Sequence, residues 1–141
     1  MSRIVSLSVI GGLLLAVLVG VSVANNSAAK AEPQLGHMVF FTLKDRTEEN
    51  RTKLVDLCNK FLNGHDGTLY YSAGSLADDL KRDVNDREFD VALHLVFKDK
   101  ASYEVYATAP RHLEFIDQGK AMWAKVRVFD SYVTAPEPAK K

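Results

Sequence analysis

The spacing of apolar side chains changes its period several times between residues 37 and 133, and this order limits the possible folds of the chain. Apolar and polar residues alternate in Phe89 to Phe97 and in Lys125 to Val133. Short runs rich in strand-forming residues cover His37 to Leu43 and Thr68 to Ala73. These patterns predict four β-strands.

The intervals between these strands have helical patterns. A first helix is expected after Thr47, which offers an N-cap. A second is expected after Asp99 and is broken near Pro110, and a third runs from there to about Trp123. The resulting order, β-α-β-β-α-(α)-β, predicts a ferredoxin-like α+β fold, with an antiparallel sheet and helices on one face.

The second face of such a sheet has no helix to cover it. This face is half apolar and carries Met38 and Phe40 from the first strand, and Ala92, His94 and Val96 from the third. Because an open apolar face marks an interaction surface, we expect the chain to form a homodimer through it.

The first 31 residues form a separate segment. No charged side chain lies between Arg3 and Lys30, and the stretch from Ile4 to Val23 is almost wholly apolar. One positive residue, an apolar run and then small residues are typical of a secretory signal peptide. An uncut run of this length can also span a bilayer as an N-terminal anchor. Either way, we expect the domain to be exported, periplasmic or anchored to the inner membrane, with membrane contact only through residues 1–31.

The rest of the chain suits one domain, from about residue 36 to 133, and a disordered tail over 134–141. Over the full chain 18 Lys and Arg balance 18 Asp and Glu, so no net positive charge would hold nucleic acid. One cysteine excludes an intramolecular disulfide, and no Cys/His cluster has zinc-ligand spacing. We expect neither a metal nor a cofactor. Cys58 shares an apolar helical stripe with Leu54 and Phe61, which indicates a core position.

The candidates for chemistry are polar groups at positions where core residues are expected, since the chain has no phosphate loop, serine elbow or metal-binding helix motif. His37 opens the first strand on its core-facing side. Tyr106 lies near the end of the second helix, and His112 lies in the first turn of the next. A helix N-terminus disfavours the imidazolium, so His112 is expected to be neutral, as a general base must be. The proline break can bring His112 and Tyr106 to one cavity, whereas His94 faces the open side of the sheet and His65 is expected to be exposed in a turn.

Four pieces of the chain follow one another in an order found in a known family. They are the His-hydrophobic first strand Gly36–Lys44, the strand Phe89–Leu93 with Phe97-Lys98-Asp99 after it, Tyr106 followed by Ala109-Pro110-Arg111-His112, and Val128–Tyr132. In these pieces the chain resembles the stress-responsive A/B barrel (Dabb) domain, over about Gly36 to Val133. The resemblance implies a dimeric α+β barrel, in agreement with the predicted strand order.

The resemblance also implies roles for the candidate residues. In plant members that act as polyketide cyclases, a Tyr and a His with this spacing and a first-strand His are the polar groups of the pocket. This implies a base role for His112, with Tyr106 and His37 orienting or polarising a carbonyl. The chain departs from the pattern twice: Ala109 stands where many members have His, and Val91 stands where the cyclases have a further pocket His.

Three functions remain open. The first is a homodimer that binds an apolar small molecule in a pocket with few polar groups. The second is a polyketide-cyclase-like lyase that abstracts a proton next to a carbonyl, with His112 as the base. The third rests on analogy with haem-degrading monooxygenases of the wider dimeric α+β barrel fold, and would use His112 or His37 as an axial haem ligand and Trp123 as a pocket wall.

Overall fold

The computed structural model of the protein describes residues 32–134. The expected leader over 1–31, and the expected tail beyond Thr134, lie outside the described residues. No helix within residues 32–134 is long and apolar enough to cross a bilayer. The elements, in chain order, are β1 (Gln34–Leu43), α1 (Glu48–Phe61), β2 (Thr68–Ser75), β3 (Val91–Phe97), α2 (Lys100–Thr108), α3 (Pro110–Gly119), a 3-10 turn (Lys120–Met122) and β4 (Trp123–Val133). This confirms the predicted order of strands and helices.

The four strands form one antiparallel sheet in the order β2-β3-β1-β4. Alternate residues of β1 face the helices and are buried: Leu35, His37, Val39, Phe41 and Leu43. Met38 and Phe40 point to the other face and are half-buried. The ferredoxin-like arrangement is therefore as the sequence predicts, with the core between the sheet and the helices.

A side-chain cap explains where α2 begins, and a proline explains where α3 begins. Asp99 caps α2, because its side chain accepts the backbone N–H of Ser102 at 2.7 Å. Ala109 ends α2 and directly precedes α3, whose first residue is Pro110. Proline is favoured there because its missing N–H would have no helical partner. The break therefore lies where the sequence predicts it, between Tyr106 and the next helix.

Several boundaries differ from the prediction: β2 ends at Ser75 rather than at Ala73, and β3 begins at Val91 rather than at Phe89. β1 begins at Gln34 rather than at His37, and β4 begins at Trp123 rather than at Lys125. The last helix ends at Gly119, so Trp123 opens a strand instead of closing a helix. The indole folds back over Gly119, where an added Cβ would lie only 2.6 Å from Cζ2 of Trp123. A glycine with no side chain allows this close return of the chain.

A buried carboxylate fixes the start of β3 to the end of β1. Asp90 is fully buried, and its side chain accepts the backbone N–H of Leu43 at 2.9 Å. The guanidinium groups of Arg46 and Arg51 donate to the same carboxylate. Each oxygen of Asp90 therefore has a partner, as a buried charge requires.

The open face of the sheet carries an aromatic cluster. Phe40 lies at its centre, with ring centroids 5.0 Å from Phe89, 6.0 Å from His94 and 5.8 Å from Phe129. Phe129 is 54% exposed. The predicted apolar face therefore extends onto β4 and onto the loop before β3, because β4 lies next to β1 in the sheet.

A candidate ligand-binding pocket

A cavity of about 300 Å³ lies between the sheet and the helices α2 and α3. His37, Tyr106 and His112 all line it, together with Tyr103 and Trp123 and a wall of apolar residues. A larger depression of about 580 Å³ runs along the outer side of α1. That depression is lined by residues of α1 alone, most of them charged, so it brings no groups from different elements together. The cavity between the sheet and the helices α2 and α3 is therefore the candidate site.

Tyr106 lies at the centre of the polar end of the cavity. Its ring centroid is 4.5 Å from that of His112 and 6.0 Å from that of His37, and the residue is 1% exposed. Burial raises the pKa of Tyr106, so the phenol keeps its proton. Within residues 32–134 the Tyr106 hydroxyl has no hydrogen-bond partner. The structure thus brings the three predicted residues together and leaves a buried hydroxyl free to donate.

His112 has the electrostatics of a neutral imidazole. Burial lowers its pKa below the ordinary value, and this outweighs the hydrogen bond to the Ala107 carbonyl, which acts in the opposite direction. Nδ1–H of His112 donates to that carbonyl at 2.9 Å. The neutral ring therefore carries its lone pair on Nε2. The sequence predicts a neutral His112 from the helix N-terminus, whereas in the structure desolvation is the largest cause.

His37 has a carboxylate partner that the sequence analysis did not identify. Nδ1–H of His37 donates to Oδ1 of Asp130 at 2.6 Å. Asp130 lies directly across from His37 in the β1–β4 pairing. The alternation of the last strand already places Asp130 on the same face as Val126 and Val128, where an acidic residue is unexpected. This unexpected acidic residue in the strand pattern could have marked Asp130 as a site residue. Identifying His37 as its partner requires the register of β1 and β4.

Tyr103 is a second phenol that the sequence analysis did not identify. Its ring centroid is 5.2 Å from that of His37, and burial raises its pKa. Its position one helical turn before Tyr106 could have identified it, because residues three apart lie on the same face of a helix.

The expectation that His65 is exposed is wrong. His65 is half-buried, its ring centroid lies 4.9 Å from that of Tyr106, and its Nε2–H donates to the Phe61 carbonyl at 2.8 Å. Gly64 and Gly67 adopt positive φ angles on either side of it. These left-handed residues fold the turn back onto the end of α1, which carries His65 against the buried phenol.

The remaining sequence predictions concern the core and metals. Cys58 is fully buried, and burial raises the pKa of its thiol to about 12, which confirms a core position for an unreactive thiol. Val91, which stands where the cyclases have a pocket His, is buried in the core and does not line the cavity. In the part of the chain from 32 to 134, no group of three or more His, Cys, Asp or Glu side chains is placed to hold a metal ion.

Solved structures of low sequence identity have the same fold. A dimeric ferredoxin-like protein of unknown function from Thermobifida fusca YX has a TM-score of 0.62 at 14% identity, over 72% of this chain and 92% of that chain. The hydroxynitrile lyase from Passiflora edulis has a TM-score of 0.60 at 21% identity, over 77% and 99%. A Dabb family protein with a ferredoxin-like fold from Mesorhizobium loti MAFF303099 has a TM-score of 0.60 at 20% identity, over 74% and 100%.

At these identities the structural likeness shows the fold alone. No curated protein matches the sequence. The sequence model of the Stress responsive A/B Barrel Domain, Dabb, matches residues 35–133, which is well over half of the chain. The His-containing first strand, the Tyr-Pro-His segment and the last strand all fall within that match. This chain therefore belongs to the stress responsive A/B barrel domain (Dabb) family.

Proposed function

We propose that this protein is an exported homodimer that binds a small, apolar, carbonyl-bearing molecule in the cavity. The observation that supports this most is the buried Tyr106 hydroxyl, which has no hydrogen-bond partner within residues 32–134. An unpaired buried donor costs about 1–3 kcal/mol, and a ligand oxygen in the cavity would remove that cost. A carbonyl is the acceptor that suits an otherwise apolar site.

The wall of the cavity indicates the shape of the ligand. Phe41, Phe115 and Trp123 pack against one another at one end, with ring centroids 5.2 to 6.0 Å apart and ring planes tilted or edge to face. Val126 and Val128 on the edge strand complete the apolar lining. No Lys or Arg is among the lining residues that the structure describes, so an anionic ligand would have no cationic partner. A flat, uncharged molecule fits this wall.

A matched pair of ligands tests the proposal. 2-Acetonaphthone and 2-ethylnaphthalene have nearly the same shape, but only the ketone has an acceptor. By calorimetry on the full chain, the ketone should bind about tenfold more tightly, as one hydrogen bond predicts. Tyr106→Phe should abolish the difference, whereas Tyr70→Phe, at an exposed position on β2, should retain it. Equal affinities in the unmodified protein, or no binding of either compound, would contradict the proposal.

A second candidate function is proton abstraction next to the ligand carbonyl, and the state of His112 favours it. The imidazole of His112 is buried, and burial lowers its pKa, which favours the neutral ring. Its Nδ1–H donates to the Ala107 carbonyl, so the lone pair is on Nε2. Nε2 would take the proton from the carbon beside the carbonyl, while the electron pair moves onto the carbonyl oxygen. Tyr106 would donate its O–H to that oxygen as negative charge develops. No observation on residues 32–134 favours haem binding over these two functions.

Deuterium exchange tests this second candidate without requiring the natural substrate. In D₂O, the protein should exchange the methyl hydrogens of 2-acetonaphthone faster than buffer does, as followed by proton NMR. His112→Ala should remove the acceleration, since it removes the base. Leu113→Ala, an exposed neighbour on α3, should keep it. If the ketone binds but its exchange is not accelerated, the protein binds this compound without abstracting a proton from it, and the second candidate function is contradicted for 2-acetonaphthone.

Two further parts of the proposal concern assembly and location. Neighbours of this fold from Thermobifida fusca YX, Jannaschia sp. CCS1 and Bacteroides fragilis NCTC 9343 are described as dimeric, which supports a homodimer. The open face around Phe40, which none of the helices within residues 32–134 covers, is the surface we assign to that contact. The apolar run from Ile4 to Val23 supports export of the domain.

A further inference from the structure

The residues that line the cavity differ in how far they are exposed to solvent. Tyr106, which would bind the ligand oxygen, is 1% exposed. Ile116, Val126 and Val128 line the same cavity and are 36%, 39% and 49% exposed. No polar residue among the described lining residues is exposed to this extent. The cavity therefore opens to solvent at three aliphatic side chains, Ile116, Val126 and Val128, which we call the apolar opening.

The apolar opening lies at the edge of the sheet because the helices do not extend over β4. Val39 and Val128 lie opposite each other in the β1–β4 pairing, so their side chains are on the same face of the sheet. Val39 is nevertheless buried and Val128 is exposed, since the helices within residues 32–134 cover β1 and leave the edge strand open. Ile116 lies four residues after His112 on one face of α3 and borders the opening from the other side.

This distribution of polar and apolar groups fixes the orientation of a ligand. The Tyr106 hydroxyl is a buried donor, so the ligand oxygen belongs at the inner end of the cavity. The three side chains of the apolar opening offer a polar group no hydrogen bond, whereas covering them with hydrocarbon is favourable. The homodimer through the open face of the sheet does not cover them, because Val126 and Val128 are on the opposite face, with the cavity.

We propose that the ligand carries its carbonyl at one end and a hydrocarbon chain at the other, and that it binds with the carbonyl at Tyr106 and the chain along the apolar opening. This inference rests on the proposed function, in which Tyr106 binds the carbonyl. It makes Ile116, Val126 and Val128 specificity-determining residues. Strand β4 rises about 7 Å from Val126 to Val128, so a chain of several methylene groups is needed to cover the opening.

Two nonanone isomers test the inference. 2-Nonanone has its carbonyl near one end and one long chain, whereas 5-nonanone has the same atoms with a short chain on each side of the carbonyl. By calorimetry on the full chain, 2-nonanone should bind about tenfold more tightly, as burial of about two additional CH₂ groups predicts. Equal affinities of the two isomers for the unmodified protein would overturn the inference.

The orientation of 2-nonanone is measured by nuclear Overhauser effects in its complex with the unmodified protein. The methyl group next to the carbonyl should show contacts with the ring protons of Tyr106. The methyl group at the end of the chain should show contacts with the methyl groups of Val126 and Val128. The reverse orientation, with the end of the chain at Tyr106, would overturn the inference without any variant having to fold.

A double variant tests the apolar opening itself. Replacing Val126 and Val128 together by Thr exchanges a methyl group for a hydroxyl at each position with little change in shape, and Thr is well tolerated in strands. The affinity ratio of the two isomers should fall to about threefold or less. Val105→Thr, at an exposed position on α2 outside the cavity, should retain the tenfold ratio. An unchanged ratio in the double variant would also overturn the inference.

The two naphthalene compounds separate failure of this inference from failure of the proposed function. If the nonanones bind equally but 2-acetonaphthone still binds more tightly than 2-ethylnaphthalene, the proposed function stands and the inference is overturned. If none of the ketones binds, both are overturned.

Discussion

At the residue scale, the chemistry of the cavity depends on which imidazole nitrogen carries a proton. Nδ1–H of His37 donates to Asp130, and Nδ1–H of His112 donates to the Ala107 carbonyl. Both partners can only accept, so Nδ1 carries a proton in each ring, and in the neutral His112 the lone pair is on Nε2. The phenol of Tyr106 lies between the two rings. The site therefore combines one fixed donor with two imidazoles of defined orientation.

Asp90 allows a stability test that is independent of any ligand. Its burial acts to raise the pKa, but the Leu43 N–H and the guanidinium of Arg46 outweigh this, and the pKa is lowered overall. Asp90→Asn should therefore reduce the unfolding free energy at pH 7 by about 3 kcal/mol, because it removes the buried charge that pairs with both Arg46 and Arg51, although Arg51 keeps its pair with Asp78. Chemical denaturation measures this loss. Asp117→Asn, which alters an exposed pair with Lys120, should leave the unfolding free energy nearly unchanged.

The difference in unfolding free energy between the unmodified protein and Asp90→Asn should depend on pH in one direction. A carboxylate with a lowered folded pKa stabilises the protein above the unfolded pKa, which is about 4 for Asp. This contribution is lost as the pH falls through the folded pKa of Asp90. The gap between the unmodified protein and Asp90→Asn should therefore narrow below about pH 4. A gap that stays constant down to pH 2 would contradict the assignment.

The sequence predicts some site residues and not others, for a physical reason. His37, Tyr106 and His112 are polar residues at core-facing positions, and local periodicity is enough to find them. Asp130 becomes a partner only through the β1–β4 register, which pairs residues 93 positions apart.

At the element scale, the junction between α2 and α3 creates the site. Tyr106 closes the last turn of α2 and His112 lies in the first turn of α3, with Ala109 and Pro110 between them. Because proline cannot continue α2, the chain changes direction and both side chains reach one cavity. Proline signals of this kind are local, so the sequence predicts the break. The 3-10 turn before Trp123 depends on tertiary packing, and the sequence prediction misses it.

A substitution at Gly119 tests whether the end of α3 holds the Trp123 indole in the wall of the pocket. Gly119→Ala places a methyl group against the Trp123 indole, which must shift. We expect a loss of about 1–3 kcal/mol in unfolding free energy and a displaced indole signal in the ¹⁵N–¹H spectrum. Gly74→Ala is the matched control, since nothing lies within 4 Å of an added Cβ there. An unchanged indole signal in Gly119→Ala would show that the close contact is absent.

At the scale of the whole molecule, the sheet has one covered face and one open face. The open face carries half-buried Met38, Phe40, His94 and Val96 and the exposed Phe129. A surface of this kind is stable in water when a second copy covers it. The sequence predicts this face from strand alternation, but the contribution of Phe129 follows only once β4 is known to lie beside β1.

Val96→Asp tests the homodimer. A charge placed in an apolar contact without a partner costs several kcal/mol, so light scattering should show monomer or aggregate in place of dimer. Val105→Asp adds the same charge on the solvent side of α2, where the side chain is 65% exposed, and should remain dimeric. An unchanged dimer in Val96→Asp would assign the contact to another surface.

Export is tested with a reporter that is active only in the cytoplasm. Fused after Lys141, it should be inactive if the apolar run from Ile4 to Val23 carries the domain across the inner membrane. Replacing two leucines of that run, Leu13 and Leu14, by Arg should restore activity, since charges there prevent insertion. Strong activity of the unaltered fusion would contradict export.

The central claim is that the cavity binds a carbonyl compound through Tyr106. A crystal structure of the full chain with 2-acetonaphthone tests it most directly. The account predicts the naphthalene ring between β1 and the helices α2 and α3, with the ketone oxygen at about 2.5–3.0 Å from the Tyr106 hydroxyl. A ketone bound outside this cavity, or bound within it with its oxygen away from Tyr106, would contradict the claim.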